Sequence, residues 1–395
     1  MTTGPVAIIG MGMTDMSRRD LSPEAMATEV VHQALSDAGV EPERLGLVVF
    51  SNALGGRLCE QGCIRGQSWL RKSRAGDVPV VNVENSCAGG TSGILLGSMA
   101  ARSSDRPVLV VGVEKMWTGD RAATLAGIED GLPADYRADM YARFRPDGPG
   151  GSTLMNLNDL WARSYMEERG ATIEQIASAA VKARRHASMN PLAQVQQAVT
   201  MDEVLSSPHV STVLTRLMCS SFTDGGAAVV LAGPATGAHP GAPRLVGSVA
   251  RSGNGEIDYH ERLEQVSAVA WEEFGFGPGD TDIVELHDAT SAEELYALES
   301  LGFFGPGEAG PATLAGSTAI GAPGLTVNPS GGLVGRGHPL GATGIAQIVE
   351  LVTHLRGRAG ARQVEGARLG VAVNTGGVIV GDAAYVGIHA VAAAS

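Results

Sequence analysis

One pattern of helix, glycine, acidic connection and strand occurs twice in this chain of 395 residues. Residues 34–50 pass from a helical pattern through Gly39 into an apolar strand, and residues 270–287 do the same through Gly275. Helices that alternate with buried strands indicate an α/β fold with a mostly parallel sheet. A second copy of the unit indicates an internal duplication. The sequence therefore predicts two related α/β halves.

Each half continues into a reactive residue framed by glycines. In the first half, Asn-Ser-Cys-Ala-Gly-Gly at 85–90 places Cys87 where a strand ends and a helix begins. In the second half, a segment at 328–344 contains Asn-Pro-Ser-Gly-Gly and Gly-His-Pro-Leu-Gly, and it places His338 in a similar turn. A cysteine needs a base or a positive field to become a nucleophile. The pair predicts covalent acyl transfer, with Cys87 as the nucleophile and His338 as its base.

The surroundings of these two residues favour reactivity, but each has a simpler alternative. At a helix N-terminus the helix dipole stabilises an anion by ~0.3–1 kcal/mol, which favours the thiolate of Cys87. The alternative for Cys87 is a buried structural cysteine, the commonest fate of a free cysteine. Pro339 keeps His338 out of helical geometry. The alternative for His338 is a histidine in a surface loop.

Two further segments follow predicted strands. His287 ends the strand at 283–286, and the carboxyl ends of parallel strands are where α/β folds place their sites. A cap on the next helix is the alternative role for His287. Asn-Thr-Gly-Gly at 374–377 follows the strand at 369–373, and backbone N–H groups in such a turn can bind an oxyanion. An ordinary hairpin turn is the alternative there.

A region of different character lies between the halves and is predicted to form a lid over the site. Residues 120–151 are rich in Asp, Arg, Pro and Gly and predict an elaborate loop, while helices are expected at 154–170 and 172–189. Thr172 is the expected cap of the second helix. Four basic residues of that helix are expected to form a solvated face, with phosphate contact as the alternative: Lys182, Arg184, Arg185 and His186.

These features predict three parts in the chain. Residues 1–116 and 212–240 form the first half, residues 117–211 the inserted loop and lid region, and residues 241–395 the second half. At ~150 residues for each domain, a chain of 395 residues is long enough for about two or three domains.

Composition excludes several classes of protein. The net charge of -13 argues against nucleic-acid binding. The chain contains no run of ~18 apolar residues, so no membrane span is expected. The early strand at 6–9 leaves no room for a signal peptide. The four cysteines do not form a disulfide framework, so a reduced cytoplasm is expected. Cys59 and Cys63 lack the partners of a zinc site, no metal is expected, and Cys219 is expected to be structural.

The motifs together resemble the thiolase superfamily, and within it most closely the sterol carrier protein type of thiolase. The resemblance rests on Ser-Cys-Ala-Gly-Gly at 86–90, Glu-Leu-His-Asp at 285–288 and the Gly-His-Pro region at 328–344. It implies an α/β chain with the thiolase fold, in which two duplicated αβαβα halves carry an inserted loop. It also implies a dimer, or a tetramer of dimers, and acyl transfer on coenzyme A thioesters.

The resemblance also implies roles for individual residues. Cys87 takes the acyl group and His338 activates it, while His287 and His338 hold the thioester oxygen of the second substrate. The N–H groups of Cys87 and Gly376 form the other oxyanion site. Asn374 and Ser330 are further candidates for oxyanion or substrate binding.

The expected substrate is an acyl thioester of coenzyme A or of a carrier protein, with no permanently bound cofactor. Relatives of this type often work with a small zinc-binding OB-fold protein, which makes such a protein a candidate partner.

Two departures from the family pattern bear on the reaction. Degradative thiolases use a second cysteine as acid and base, but this chain has Asn374 and Ala289 at the two positions where that cysteine occurs. One cysteine with two histidines resembles the set of the decarboxylating ketoacyl synthases. We therefore expect a biosynthetic acyltransferase that forms acyl-Cys87 and acylates a carbon nucleophile. The alternatives are a lyase that splits a β-hydroxyacyl thioester and a non-catalytic subunit of a complex.

Overall fold

The structure is a computed structural model that describes residues 4–17, 20–144 and 152–394. Ten strands of this part of the chain form one mixed sheet. The strands are β1 (Val6–Met13), β2 (Leu47–Ser51), β3 (Val80–Val83), β4 (Val108–Glu114), β5 (Gly225–Ala232), β6 (Arg244–Ser252), β7 (Ile283–Glu285), β8 (Thr326–Val327), β9 (Leu369–Ile379) and β10 (Asp382–Ala392).

The helices lie between the strands in sequence. They are α1 (Pro23–Ala38), α2 (Gly55–Leu58), α3 (Arg65–Leu70), α4 (Gly89–Ser103), α5 (Arg121–Glu129), α6 (Ala134–Phe144), α7 (Thr153–Arg169), α8 (Ile173–Ser188), α9 (Met201–Ser206), α10 (Tyr259–Phe274), α11 (Ser291–Ser300), α12 (Ala309–Leu314), α13 (Gly332–Gly335) and α14 (Thr343–Leu355). Short 3₁₀ turns connect several of them.

The strand order confirms the predicted duplication. The sheet runs β3-β2-β4-β5-β1-β6-β10-β9-β7-β8, so each half has the same order when it is read from its outer edge. In each half the last strand is antiparallel to its neighbours and the other four strands share one direction. The halves join where Val6 and Ala7 of β1 pair with Leu245 and Arg244 of β6.

Helices cover the strands in layers. Helix α1 packs on β1 and β5, and α10 packs on β6 and β10. Helices α4 and α14 pack on each other and on strands of both halves, so they form the layer between them. Nearly every residue of α14 is buried, as expected for a helix with strands on two sides. This arrangement confirms the αβαβα architecture and brings the N-termini of α4 and α14 together.

The connection from β4 to β5 contains helices where the sequence analysis expected a loop. The prediction for residues 120–151 is wrong for α5 and α6, and residues 145–151 lie outside the described part of the chain. Asp120 caps α5 by accepting a hydrogen bond from the Ala123 N–H at 3.0 Å. The buried carboxylate of Glu129 accepts bonds from the Tyr141 hydroxyl and the Thr153 N–H, which ties α5 to α6 and α7. Glu129 lies 12 and 24 residues from these two partners, so local sequence patterns do not indicate the helices.

Helices α7 and α8 lie where they were predicted. Gly170 ends α7 in the left-handed conformation, and Thr172 starts α8 with a capping box completed by Gln175. The boundaries proposed for the three parts of the chain remain a prediction. No described helix has both the length and the apolar character needed to cross a membrane.

The basic face of α8 is mostly buried, so the prediction of a solvated face is wrong for all but Arg185. Lys182 forms an ion pair with Glu294 of α11 at 2.7 Å. His186 Nδ1 lies 3.0 Å from the Asn328 carbonyl oxygen. The helix therefore uses its basic side chains to hold the segment that leads to His338.

Candidate active site

Cys87 lies in a tight turn between β3 and α4. The turn is closed by a hydrogen bond from the Ala88 N–H to the Asn85 carbonyl at 2.9 Å. Ser86 has a φ of 49°, a left-handed conformation that is uncommon for a residue other than glycine. The Asn85 side chain donates to the Ser92 hydroxyl at 2.8 Å and fastens the turn to the helix. Backbone geometry therefore fixes where the Cys87 thiol projects.

Glycines bring this turn into contact with the segment that follows His338 in the second half. A Cβ on Gly90 would lie 3.0 Å from the Gly341 carbonyl oxygen, and one on Gly344 would lie 2.5 Å from the backbone nitrogen of Thr91. Side chains at these positions would push the two helices apart. The start of α4 and the start of α14 therefore meet backbone to backbone.

The hydrogen bonds of His338 define which ring nitrogen is free. Its Nδ1 lies 2.8 Å from the Thr343 hydroxyl oxygen. That hydroxyl donates its single hydrogen to the Pro339 carbonyl at 3.0 Å, so it accepts a hydrogen bond from Nδ1–H. Nε2 of His338 consequently carries a lone pair. A neutral imidazole with a free lone pair is a proton acceptor.

His287 follows β7 and lies beside His338, with ring centroids 5.1 Å apart. Its Nδ1 lies 2.9 Å from the Thr375 hydroxyl oxygen. Its Nε2 is buried and has no hydrogen-bond partner among the described residues. The Cys87 Sγ and one ring nitrogen of each histidine all lie within 4.8 Å of one another. The structure thus brings the three predicted catalytic residues together.

One thiol and two imidazoles at this separation also make a donor set that a metal ion accepts. The expectation that the site works without a metal remains a prediction.

The protonation states differ from the expectation for Cys87. Burial, reinforced by the charge of Glu114, raises the pKa of the Cys87 thiol to about 12. A change from the ordinary 9.0 to about 12 corresponds to about 4 kcal/mol, which exceeds the ~0.3–1 kcal/mol of a helix dipole. The prediction of a resting thiolate is therefore wrong, because desolvation outweighs the dipole.

Both histidines are uncharged in the same environment. Burial lowers the pKa of His287 to about 4. Burial, with the charge that His287 carries when it is protonated and the charge of Arg336, holds the pKa of His338 well below its ordinary value. The free site therefore holds a neutral thiol beside two neutral imidazoles.

The segment at 374–377 lies inside β9 instead of forming a hairpin turn, so the hairpin alternative is wrong. The turn between β9 and β10 is formed by Val380 and Gly381, both with positive φ. A Cβ on Gly376 would lie 2.5 Å from the Ala88 nitrogen, which places Gly376 directly on the Cys87 turn. The Asn374 amide, oriented to satisfy its surroundings, donates to the Cys87 carbonyl at 2.8 Å.

Ser330 does not line the cavity around Cys87. It is fully buried, and its hydroxyl donates to Glu285 Oε2 at 2.7 Å while its N–H donates to Oε1 at 3.0 Å. We therefore reassign Ser330 from substrate binding to support of the His338 loop. Local sequence gave no signal for this, because Glu285 is 45 residues away.

Two more buried carboxylates, Glu114 and Asp288, support the site. Glu114 accepts bonds from the N–H groups of Ala53, Leu54 and Gly341 at 2.9 to 3.0 Å. Asp288 accepts a bond from the Leu333 N–H at 2.8 Å. Each carboxylate ties the His338 loop to a strand end.

A cavity of about 640 Å³ opens onto Cys87, His287 and His338. This volume lies within the usual range of ~300–1,000 Å³ for small-molecule sites. The inserted region contributes much of the remaining wall, including Leu125, Ile128, Met155, Trp161 and Arg184. Leu217 and Phe222, which follow this region in sequence, also line the cavity. Tyr259, Ala289, Glu293, Thr375 and Gly376 line it from the second half.

Cys219 also lines this cavity, although it was predicted to be purely structural. Its thiol points to the Thr215 carbonyl oxygen at 3.4 Å. Burial raises the pKa of the Cys219 thiol to about 12. Cys59 and Cys63 lie outside the cavity lining.

A cysteine beside two histidines, set between two duplicated α/β halves, is an arrangement suited to covalent catalysis through a thiol. Residues 6–234 match the family model described as "Thiolase, N-terminal domain", and residues 255–387 match "Thiolase C-terminal domain-like". The chain belongs to the thiolase family and is a thiolase-like acyltransferase.

Similar proteins cover nearly the whole chain. An acetyl-CoA acetyltransferase of Methanothermobacter thermautotrophicus is 38% identical over 94% of this chain and 96% of its own length. Sterol carrier protein 2 of Bos taurus is 30% identical over 97% of this chain and 72% of its own length. The benzoylsuccinyl-CoA thiolase subunit BbsB of Thauera aromatica is 31% identical over 91% of each chain.

Among solved structures, the Ltp2-ChsH2(DUF35) aldolase is similar with a TM-score of 0.80 and 25% identity. The match covers 99% of this chain and 98% of that chain.

Proposed function

We propose that the protein loads an acyl group from a thioester onto Cys87 and transfers it to a carbon nucleophile. The observation that carries the proposal is the hydrogen-bonding state of His338. Because Thr343 occupies Nδ1, the nitrogen left free to act as a base is Nε2. The Cys87 thiol to be deprotonated lies within 4.8 Å of one ring nitrogen of His338.

The loading step uses the neutral pair that the site holds at rest. The Cys87 thiol gives its proton to His338 Nε2 as its sulfur attacks the thioester carbonyl carbon. The carbonyl oxygen becomes an oxyanion, for which the N–H groups of Cys87 and Gly376 are the candidate donors. The carbon–sulfur bond of the donor thioester then breaks, and the departing thiolate takes the proton back from His338. Acyl-Cys87 and a free thiol remain.

The transfer step needs a carbanion and a place for its proton. Ala289 lines the cavity and Asn374 binds the Cys87 carbonyl, so neither position provides an acid or base. An acceptor that loses CO₂ generates its carbanion without a protein base, and a nucleophile that is already formed needs none. Either acceptor fits a biosynthetic role. His287 is the candidate donor to the acceptor's thioester oxygen.

Cleavage of a β-hydroxyacyl thioester is the second candidate function. The aldolase among the similar structures favours it, at 25% identity over nearly the whole chain. Such cleavage requires no acyl-enzyme, whereas this chain retains Cys87 beside a histidine base. Acyl transfer is therefore the better supported reaction, and the same argument disfavours a non-catalytic subunit.

Coenzyme A thioesters are the proposed substrates, because two of the similar enzymes are named for coenzyme A compounds. The cavity wall carries three arginines and one glutamate in a chain of net charge -13, which suits an anionic ligand: Arg121, Arg184, Arg216 and Glu293.

A second polypeptide is a further proposal. The BbsB relative is named as a subunit, and the aldolase is named with a DUF35 component. These names support a partner polypeptide, for which the family resemblance suggests a small zinc-binding OB-fold protein.

Self-association is proposed through the outer edge of β3. Val81 of this edge strand is exposed, as are Leu96 and Met99 on the adjoining helix α4. An uncovered edge strand with apolar neighbours is a ready surface for strand pairing. Light scattering should give a dimer or tetramer, and Val81→Asp with Met99→Asp should give a monomer. A wild-type monomer that is fully active would contradict the proposal.

Mass spectrometry of the intact protein tests the proposed function. Incubation with a set of acyl-CoA thioesters should add one acyl group per chain. Cys87→Ala should abolish the adduct, while Cys59→Ala, Cys63→Ala and Cys219→Ala should retain it. An adduct that persists in Cys87→Ala would overturn acyl-Cys87, and consumption of a β-hydroxyacyl-CoA without an adduct would support the lyase.

A further inference from the structure

We propose that Tyr259, acting through Thr375, is a positioning residue that holds His287 in the tautomer with its hydrogen on Nε2. In this state His287 donates to the thioester oxygen of the acyl acceptor. The inference rests on the proposed function for the role of His287, but the position of the hydrogen is a property of the free protein.

The three side chains form a continuous chain of hydrogen bonds at the cavity wall. Tyr259 is the first residue of α10, is 4% exposed and lines the cavity. Its hydroxyl forms a short hydrogen bond with the Thr375 hydroxyl. The Thr375 oxygen in turn lies 2.9 Å from His287 Nδ1. Trp161 stacks on the Tyr259 ring with centroids 4.4 Å apart, which limits rotation of the tyrosine.

Counting hydrogens gives the direction of this chain. Tyr259 and Thr375 have one hydroxyl hydrogen each. If Tyr259 donates to Thr375, the threonine hydrogen is free to donate to Nδ1, and both hydrogens are used. In the reverse direction the Tyr259 hydrogen would have no acceptor among the described residues, inside a buried site. Each direction leaves one donor without a partner among the described residues, the Nε2–H of His287 in the first and the Tyr259 hydroxyl in the second, and an unused buried donor costs about 1–3 kcal/mol in either case. His287 is the less buried of the two residues, and a ligand oxygen in the cavity can pair with its N–H, so the first direction is favoured.

The first direction makes Nδ1 of His287 an acceptor and leaves the ring hydrogen on Nε2. This nitrogen is buried and has no partner in the described part of the protein, and His287 lines the cavity. Burial also raises the pKa of the Tyr259 hydroxyl well above its ordinary value, so the tyrosine keeps its hydrogen. The Nε2–H of His287 is thus an unused donor at the site where a ligand oxygen would lie.

Two threonines consequently set the two histidines to opposite tautomers. Thr343 gives its hydrogen to a backbone carbonyl and accepts from His338. Thr375 receives its bond from Tyr259 and donates to His287. His338 is therefore prepared to take a proton in the loading step, and His287 is prepared to donate a hydrogen bond in the transfer step. Loss of the Tyr259 hydroxyl should affect the second step alone.

Neutron diffraction from deuterated crystals locates the exchanged hydrogens directly. Wild type should show deuterium on His287 Nε2 and on His338 Nδ1. In Tyr259→Phe and Thr375→Val the deuterium on His287 should move partly or wholly to Nδ1, while Thr375→Ser should restore the wild-type position. Tyr165→Phe is the matched control, because it removes a different buried tyrosine hydroxyl, one bonded to Glu299 at 2.7 Å outside the cavity lining.

Quenched single-turnover kinetics supplies the second readout, with malonyl-CoA as the acceptor probe. Tyr259→Phe should load acyl groups within about twofold of wild type and should discharge acyl-Cys87 about tenfold more slowly, below the ~10²–10³ for complete loss of an oxyanion donor. Thr375→Ser should discharge at nearly the wild-type rate, unlike Thr375→Val.

The outcomes separate the two proposals. Deuterium on His287 Nδ1 in wild type, or an unchanged position in Tyr259→Phe, would overturn the inference. Equal slowing of loading and discharge in Tyr259→Phe would also overturn it, because a general structural defect predicts that result. If wild type forms no acyl-Cys87 with any thioester, the proposed function fails, and the deuterium positions still decide whether Tyr259 sets the tautomer.

Discussion

The two halves of the molecule differ most in the connection between their last two strands. In the first half, β4 and β5 are joined by the region that contains α5 to α9. In the second half, β9 and β10 are joined by Val380 and Gly381. The long connection lines the cavity, and the short one does not. The duplicated framework therefore supplies the reacting groups, and an addition to one copy supplies the substrate wall. Changes to the framework should remove activity, and changes to the wall should redirect it.

The largest expected effect follows from replacing His338, the proposed base, which lies in the second half. His338→Gln should lower the rate of Cys87 acylation by about 10²–10⁴-fold, because it removes the proton acceptor. Mass spectrometry of reactions quenched at successive times measures this rate. His239→Gln is the control, since His239 is hydrogen-bonded to Thr236 and does not line the cavity. Acylation of His338→Gln at the wild-type rate would show that another group takes the thiol proton.

The second prediction concerns thiolytic cleavage. Wild type should cleave acetoacetyl-CoA at least about 10²-fold more slowly than it loads acyl groups, because no second cysteine protonates the departing carbanion. Ala289→Cys, which adds a thiol to the cavity wall, should raise the rate measurably. A spectrophotometric assay with free coenzyme A measures both. A wild-type rate typical of metabolic enzymes, about 1–10³ per second, would remove the main support for a biosynthetic role.

The third prediction contrasts the acid stability of the two halves. Burial lowers the pKa values of His287, His354 and His389, all in the second half, to about 4. The unfolded chain therefore binds more protons than the folded chain below about pH 6.5. Stability is fully present at neutral pH and falls as the pH drops from about 6.5 to 4. At pH 5 each of these histidines lowers the free energy of unfolding by about 2 kcal/mol.

Hydrogen exchange at pH 7 and pH 5 measures this difference. Strands β9 and β10 should lose more protection at pH 5 than β2 and β4. Equal loss in both halves would show that the buried histidines do not control acid unfolding.

The smallest expected effect follows from a substitution in the part of the inserted region that lines the cavity. Met155→Trp fills part of the cavity from the inserted region and should lower loading of a long acyl chain relative to acetyl by about tenfold, comparable with discrimination by one or a few methylenes. Competition between acetyl-CoA and octanoyl-CoA measures the ratio. Val380→Trp in the short hairpin, where the side chain is exposed, should leave the ratio unchanged. A shift with Val380→Trp would contradict the division between framework and wall.

Local patterns predicted what depends on local sequence. Strands β1, β2, β3 and β7, the first part of β9, the bounds of α8, and the caps Gly39 and Thr172 follow from apolar spacing and terminal residues. The duplicated strand order followed from two copies of one unit. The positions of Cys87 and His338 were predictable because glycines mark both turns.

The remaining features depend on partners distant in sequence. The hydrogen bonds of Glu285 to Ser330 and of Tyr259 to Thr375 join residues 45 and 116 positions apart. The protonation of Cys87 follows from desolvation, which no motif records. Helices α5 and α6 depend on the buried Glu129, and a sequence rich in Asp, Arg, Pro and Gly gave no sign of it.

The crossing of α4 and α14 has a consequence for redesign and for drift of the sequence over time. Because Gly90 and Gly344 bring main chain against main chain, the separation of nucleophile and base is independent of which apolar side chains fill the surrounding layers. Residues of the inserted region that only line the cavity, such as Met155, are then free to vary one by one. Lys182 and His186 of α8 are exceptions, because they hold the segment that leads to His338. An engineer who exchanges the wall to admit a new acyl chain would inherit a working catalytic pair, whereas adding one methyl group at the crossing would cost it.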